Sequence, residues 1–362
     1  MINFHKATLQ KCSSDQSSIE RELNPLVVAD TPKLSSFPKT IKTLWQFSRP
    51  HTLIGSTLSI TSLFCYATST EIKFTRKFVA CFIGTLIPAA ATNIFITGLN
   101  QITDIEIDRI NKPYLPLPAN NLSVSEAVAV VLTCFAIAIF GAISEPWPLQ
   151  LALYPSLLLG AFYSLPPLRL KRFPLFAASS IAIVRGLLIN VGFFCYAKMK
   201  LYQEPIYSFP YLLAHYPDIL LVALYFTVFG LVIALLKDTP DVAGDKAHHI
   251  TTFAAQHGAN YMLRMGKNIL IATILTLGGL LCGVKYNQWS KSKLCAVLSV
   301  LAAFVIYLQY HWKQVIAVTA DASSSIPGSG EAVEDDPQRV YTFYMKIWNI
   351  FYASYLLLPW LK

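Results

Sequence analysis

Residues 217–241 read Pro217-Asp218-Ile-Leu-Leu-Val-Ala-Leu-Tyr-Phe-Thr-Val-Phe-Gly-Leu-Val-Ile-Ala-Leu-Leu236-Lys237-Asp238-Thr-Pro240-Asp241. From Ile219 to Leu236 there is no charged residue. Wound as a helix, such a run covers about 27 Å, close to the ~30 Å hydrocarbon core of a bilayer. It is too long for a strand and does not alternate polar with apolar residues. It stops abruptly in a cluster of charge, as a membrane helix does where it meets water.

The same pattern recurs along the chain. Runs near 46–67, 78–99, 122–143, 147–164, 176–197, 266–284, 293–312 and 341–361 join 218–236, which predicts an all-α polytopic membrane protein with nine transmembrane helices. The third run opens on Ser123-Val-Ser-Glu126, a capping-box pattern. Composition agrees. Of 362 residues 54% are hydrophobic and 14% charged, and mean hydropathy is +0.48. This excludes a disordered chain, a disulfide scaffold and a coiled coil. The seven cysteines form no CxxC pair and no Cys/His ligand spacing. The net charge of +9 comes without a dense Lys/Arg run, so a membrane surface is the expected partner and nucleic acid is not.

An odd number of spans puts the two termini on opposite faces. About two-thirds of the Lys and Arg residues then fall on the face of the N-terminal tail, which predicts that this face is cytoplasmic or stromal. Residues 1–44 are polar and contain no signal-peptide apolar core. They carry more acids than a transit peptide and are expected to form a mobile tail ahead of a membrane domain over 45–362. Residues 319–340, rich in Ser, Gly and acids, are expected to form a mobile loop.

The acids of the membrane part gather in two clusters on that same face. The first is Asn100-Gln-Ile-Thr-Asp104-Ile-Glu-Ile-Asp108-Arg109-Ile-Asn-Lys112 and the second Lys237-Asp238-Thr-Pro240-Asp241-Val-Ala-Gly-Asp245. Asn100, Asp104 and Asp108 step by four, and Asp238, Asp241 and Asp245 by three and four, so a helix brings each set to one side. Carboxylates on one face repel, and a bound cation relieves them. Oxygen donors without Cys or His suit Mg²⁺ completed by substrate phosphate, and two such clusters make a clamp of two ions on a diphosphate. Arg109, Lys112 and Lys237 lie beside the acids. Tyr163-Ser-Leu-Pro-Pro-Leu-Arg169-Leu-Lys171-Arg172 adds basic groups on the same face, suited either to a departing diphosphate or to lipid headgroups. Arg185 is halfway along the fifth run, where a charge faces a cavity or an ion-pair partner. His248 and His249 read as exposed loop residues.

These motifs resemble the two aspartate-rich motifs of the UbiA-type intramembrane prenyltransferases. Phe47-Ser-Arg49-Pro50-His51-Thr52, Asn111-Lys112-Pro113, the 163–174 stretch and Val184-Arg185-Gly186 narrow the resemblance to the homogentisate prenyltransferases of cyanobacteria and plastids. It runs from about residue 43 onward, except across 319–340. The chain departs from that pattern at Asn120-Asn121, at His248-His249 and at Ala255-Gln256-His257.

The resemblance implies a nine-helix bundle around a central cavity, in a plastid or cyanobacterial membrane. It implies a prenyl diphosphate bound by two Mg²⁺ ions, one on Asn100, Asp104 and Asp108 and one on Asp238, Asp241 and Asp245. Arg109, Lys112, Arg169, Lys171, Arg185 and Lys237 would hold the diphosphate. A phenolic acceptor, homogentisate, would be alkylated with loss of CO₂, and Tyr163 would face the acceptor or the cation. Another phenol is the alternative acceptor. A transporter would instead need ionisable groups and broken helices near mid-membrane, where this chain has Arg185 alone.

Overall fold

The computed structural model describes residues 39–68, 75–206, 208–237, 239, 253–324 and 337–362, which divide at Gln46 and Phe47 into two compact units. All regular structure among them is helical. In chain order the helices are α1 (Lys39–Phe47), α2 (Pro50–Ala67), α3 (Arg76–Thr103), α4 (Ile105–Asn111), α5 (Val124–Ala142), α6 (Trp147–Ser164), α7 (Pro174–Ala182), α8 (Ile189–Tyr202), α9 (Phe209–His215), α10 (Pro217–Leu236), α11 (Phe253–His257), α12 (Ala259–Lys285), α13 (Lys291–Ser324) and α14 (Pro337–Leu357). A π-helical segment, Ile183–Leu188, joins α7 to α8 without interruption.

Six of these rods are long and apolar enough to cross a membrane: Arg76–Thr103, Val124–Ala142, Pro174–Tyr202, Pro217–Leu236, Ala259–Lys285 and Lys291–Val315. Their outer faces carry bare hydrophobic side chains, such as Phe140 at 72% exposure and Ile306 at 67%. Water would not tolerate so many, and lipid would. The first expected run is split, because the chain leaves α1 at Phe47 and begins α2 only at Pro50. Most of 1–44 and of 319–340 lies outside the described residues. At their edges, helix replaces the expected loose chain. Lys39–Leu44 belong to α1, where Ile41, Leu44 and Trp45 recur at helical spacing, and α13 runs on to Ser324.

Within Phe47–Lys362, polar contacts tie the helix ends into two groups. At one end, Arg49 before α2 lies 4.0 Å from Asp108 in α4, and Lys171 after α6 lies 2.5 Å from Asp104 after α3. Lys237 after α10 donates to the Tyr163 hydroxyl near the end of α6. At the other end, Glu145 after α5 accepts from Tyr196 (2.7 Å) and Lys200 (2.8 Å) of α8. Burial works to raise the Glu145 carboxyl, and the bonds from Lys200 and Tyr196 outweigh it and hold the group below the ordinary glutamate range. Asp218 of α10 accepts from Tyr66 of α2 at 2.5 Å and meets Lys285 of α12 at 2.7 Å. Thus α2 runs from Arg49 in the first group to Tyr66 in the second, and α10 from Asp218 in the second to Lys237 in the first, so these two helices run antiparallel. The apolar length between holds an aromatic seam in which Phe226 stacks on Tyr355 at 3.8 Å, with Phe229 and Phe351 against them.

One backbone approach is unusually close. A Cβ at Gly186, inside the π segment, would stand 2.2 Å from the Thr227 Cα of α10. Only glycine lets the two helices meet there, as small residues do between membrane helices. Gly84, by contrast, has nothing within 4 Å of a Cβ. Gly186→Ala is therefore expected to lower the thermal midpoint of the detergent-solubilised protein by several degrees, through overpacking worth about 1–3 kcal/mol. Gly84→Ala is expected to leave it unchanged, and equal midpoints for the two variants would refute the contact.

Candidate functional site

The first helix to contribute is α3, and its last turn decides the site. It ends at Thr103 with Asp104 at φ −117, ψ 12, and the chain restarts as α4 one residue later. The expected unbroken helix through Asn100, Asp104 and Asp108 is thus bent at its middle carboxylate, and the backbone bond from Asp108 N–H to Asp104 C=O (2.8 Å) carries the chain across the bend. Asn100 still reaches Asp104, its Nδ2 donating to Oδ2 at 2.9 Å. Asp108 is 5% exposed, and its carboxylate turns toward Arg49.

The other Asp104 oxygen, Oδ1, is met from across the bundle. Lys171 Nζ donates to it at 2.5 Å and to the Thr103 hydroxyl at 2.8 Å, and Arg169 Nη2 donates to it at 3.3 Å. The turn that carries these cations is tightly wound. Arg169 sits in the left-handed region at φ 38, ψ 58, which brings Arg169 and Lys171 to the same carboxylate. A non-glycine residue held there costs on the order of 1–2 kcal/mol, and such outliers gather where function needs them. Burial pushes the Lys171 ammonium below the usual lysine range, and the hydrogen bond and charge of Asp104 pull it part of the way back. Arg172, its neighbour, is exposed, so the basic stretch divides into inward Arg169 and Lys171 and outward Arg172.

Tyr163 and Lys237 form a second contact at this end. The ammonium donates to the phenol oxygen and stands 5.1 Å from the centre of its ring. The group therefore brings together Asn100, Asp104, Asp108, Arg169 and Lys171, with Tyr163 and Lys237 paired at the neighbouring helix ends. Asp238, Asp241 and Asp245, like His248 and His249, lie outside the described residues. Lys112 is half-buried, and its N–H closes α4 on the Asp108 carbonyl.

Two expected diphosphate ligands are found elsewhere. Arg109 faces outward, half-exposed, in a bidentate pair with Glu106 at 2.9 and 3.0 Å, because three residues along α4 bring those two together. Arg185 lies over the Trp348 ring, 5.1 Å from its centre.

Two site residues escaped the sequence reading. Thr103 accepts from Lys171, and Arg49 faces Asp108 from a left-handed backbone at φ 51. The Arg49-Pro50 pair was the available signal, since proline fixes the first turn of α2 and leaves Arg49 at its entrance. The departure at Asn120-Asn121 falls in a turn. Asn120 is exposed at φ 54, a conformation that asparagine tolerates in a turn.

Chemically, this end offers carboxylate and amide oxygens with ammonium and guanidinium groups around them. Among the described residues no three His, Cys, Asp or Glu side chains converge on one point. The oxygens that Asn100, Asp104 and Asp108 carry are of the hard type that suits a divalent ion such as Mg²⁺, and at Asp104 such an ion would take the place that the Lys171 and Arg169 cations occupy.

The model of the UbiA prenyltransferase family matches residues 57–324. The chain is 33% identical over 338 residues to homogentisate phytyltransferase 1, chloroplastic, of Arabidopsis thaliana, covering 91% of this chain and 78% of that protein. It is 30% identical over 332 residues to the homogentisate phytyltransferase of Synechocystis sp., covering 88% and 95%. Its fold is similar to that of a UbiA homolog from Archaeoglobus fulgidus solved with GPP and Mg²⁺, with TM-score 0.54 and 16% identity over 88% of this chain and 99% of that one. With its matched residues spanning the helices that carry Asp104, Lys171 and Lys237, the chain belongs to the UbiA prenyltransferase family.

Proposed function

We propose that this chain is an aromatic prenyltransferase that moves the prenyl group of phytyl or geranylgeranyl diphosphate onto homogentisate, with loss of the acid's carboxyl group as CO₂. The observation that carries this reading is the meeting of Asp104 with Lys171 and Arg169 at the end of apolar helices. It supplies charge for a diphosphate head and hydrocarbon for its tail. Relatives that share a third of their residues with the chain act on homogentisate by name, which supports the acceptor.

In this reading nine helices cross the membrane around a central cavity. The Asp104 end faces the cytoplasm or stroma of a plastid or cyanobacterial membrane. Lys171, Arg169 and Lys237 bind the diphosphate oxygens and take up the charge that develops as the C1–O bond breaks. Asn100, Asp104 and Asp108 would hold one Mg²⁺ and Asp238, Asp241 and Asp245 a second. When bound, the ions draw electron density from the phosphate oxygens and make diphosphate a better leaving group. The Tyr163 ring, already beside the Lys237 ammonium, can face the allylic cation. The apolar walls exclude water that would otherwise capture that cation. With the C1–O electron pair gone to the departing diphosphate, an electron-rich ring carbon of the phenol bonds to C1 and gives up its proton to restore aromaticity, while the side-chain CH₂–CO₂ bond breaks to release CO₂ and its carbon takes up a proton.

Chelation is expected to abolish turnover of geranylgeranyl diphosphate with homogentisate, and added Mg²⁺ to restore it. Asp104→Ala and Lys171→Ala are each expected to lower kcat/KM by about 100-fold or more, the scale of a lost transition-state contact. Arg109→Ala, whose guanidinium faces away with Glu106, is expected to stay within about threefold of the parent. Full activity in Asp104→Ala, or a collapse in Arg109→Ala, would overturn this assignment. A preference for another phenolic acid in a competition assay would move the acceptor and leave prenyl transfer standing.

Topology is open to a separate measurement. Single cysteines introduced as Arg109→Cys and Arg172→Cys are expected to react with an impermeant maleimide from one side of sealed vesicles, and Gln203→Cys and Lys291→Cys from the other. Reaction of all four from one side would end the nine-crossing reading.

A further inference from the structure

Arg185 stands apart from the diphosphate end. Its Cβ lies against Gly230 of α10, and Lys237 follows seven residues later, about 10 Å along the helix. No ion pair joins Arg185 to a described carboxylate. Among the described residues it has no negative partner, and a guanidinium buried in hydrocarbon without one costs several kcal/mol by insertion scales.

The fold nevertheless goes to some length to keep it there. The π turn Ile183–Leu188 widens the helix under Arg185, and wide turns of this kind recur at functional sites. Asn190 repairs the ladder by donating from Nδ2 to the Arg185 carbonyl (2.9 Å) and the Gly186 carbonyl (2.7 Å). Tyr355 donates to the Asn190 oxygen at 3.2 Å, and the contact of Gly186 with Thr227 fixes the wide turn against α10.

What surrounds the guanidinium is aromatic. Beyond Trp348, the His51 ring meets that indole edge-on at 5.6 Å, and Tyr344 and Tyr352 lie 6.5 and 5.6 Å from it. Tyr352 is held by its hydroxyl, which donates to the His51 carbonyl at 2.9 Å. His51 is within electrostatic reach of both Arg49 and Arg185. Because Arg49 faces Asp108, this aromatic group adjoins the diphosphate end through the first turn of α2.

We infer that Arg185, with Trp348, Tyr344, Tyr352 and His51, forms the subsite for the acceptor, in which the guanidinium binds the carboxylate of an aromatic acid and the rings flank its benzene ring. The inference rests on the prenyl-transfer reading above and adds a residue and a recognition mode to it. One cation set among π faces suits a single carboxylate attached to a ring. A diphosphate is better met by the several cations around Asp104. The planar guanidinium also matches a carboxylate with two parallel hydrogen bonds. The Trp348 face holds it in the meantime.

The test compares homogentisate with methylhydroquinone, which keeps the ring and hydroxyls and lacks the carboxyl group. In Arg185→Gln, KM for homogentisate is expected to rise about 30-fold, the scale of one charge-assisted hydrogen-bonded pair. KM for geranylgeranyl diphosphate and the inhibition constant of methylhydroquinone are expected to stay within about twofold. Arg185→Lys keeps the charge without the fork and is expected to fall between the two. It also carries the comparison if the glutamine variant does not fold. An equal loss for both ring compounds, or a rise confined to the diphosphate, would overturn the subsite. If the parent enzyme transfers to phenols but to no aromatic acid, the acceptor reading itself fails, and that outcome is visible before any variant is made.

Discussion

An apolar surrounding leaves a charged side chain two stable places, a helix end or an interior position built to satisfy it. The arrangement of this chain follows from that constraint. Asp104, Asp108, Lys171 and Lys237 collect at one set of helix ends, and Glu145, Lys200, Asp218 and Lys285 at the other. Between them the helices are apolar enough to bury an aromatic seam and to show bare Phe and Ile outward. The two polar ends do different work. At the far end acids and cations are paired with one another and with tyrosine hydroxyls, which fastens α2, α8, α10 and α12. At the near end two cations crowd a single carboxylate oxygen, so that among the described residues positive charge exceeds negative there, which an anionic substrate can use.

Much of this was legible before any coordinates. Long uncharged runs mark the helices because hydrocarbon tolerates little else, and the four-residue spacing of Asn100 and Asp104 survives as a direct hydrogen bond. Lys171 was legible as a basic residue on the correct face. Its choice of the inward direction over Arg172 was not, since it depends on the left-handed turn at Arg169, which a residue type as ordinary as arginine does not announce. Arg49 escaped for the same reason. Arg109 misled because spacing shows which residues share a helix face and leaves open whether that face turns to the site or to Glu106.

Arg185 shows the limit most sharply. Its depth is plain from the sequence, and depth alone allowed a cavity or an ion pair. The aromatic company of Trp348 and Tyr352 comes from α14, more than 150 residues away, and no local pattern connects the two. The glycine after it is the one local clue, and its meaning lies in the Thr227 backbone that it admits.

The π turn has a further consequence, for how this rod tolerates insertion and deletion. A π bulge is an α-helix carrying one surplus residue. Removing a residue between 183 and 188 would let the helix close to regular winding with both halves still in phase, so Ala182 and Asn190 would keep their azimuths. The same deletion in α3 or α10 would rotate everything after it by about 100° and turn its buried stripe outward. The surplus residue is therefore the one part of the Pro174–Tyr202 rod whose loss the packing could absorb, and it is the part that aims Arg185.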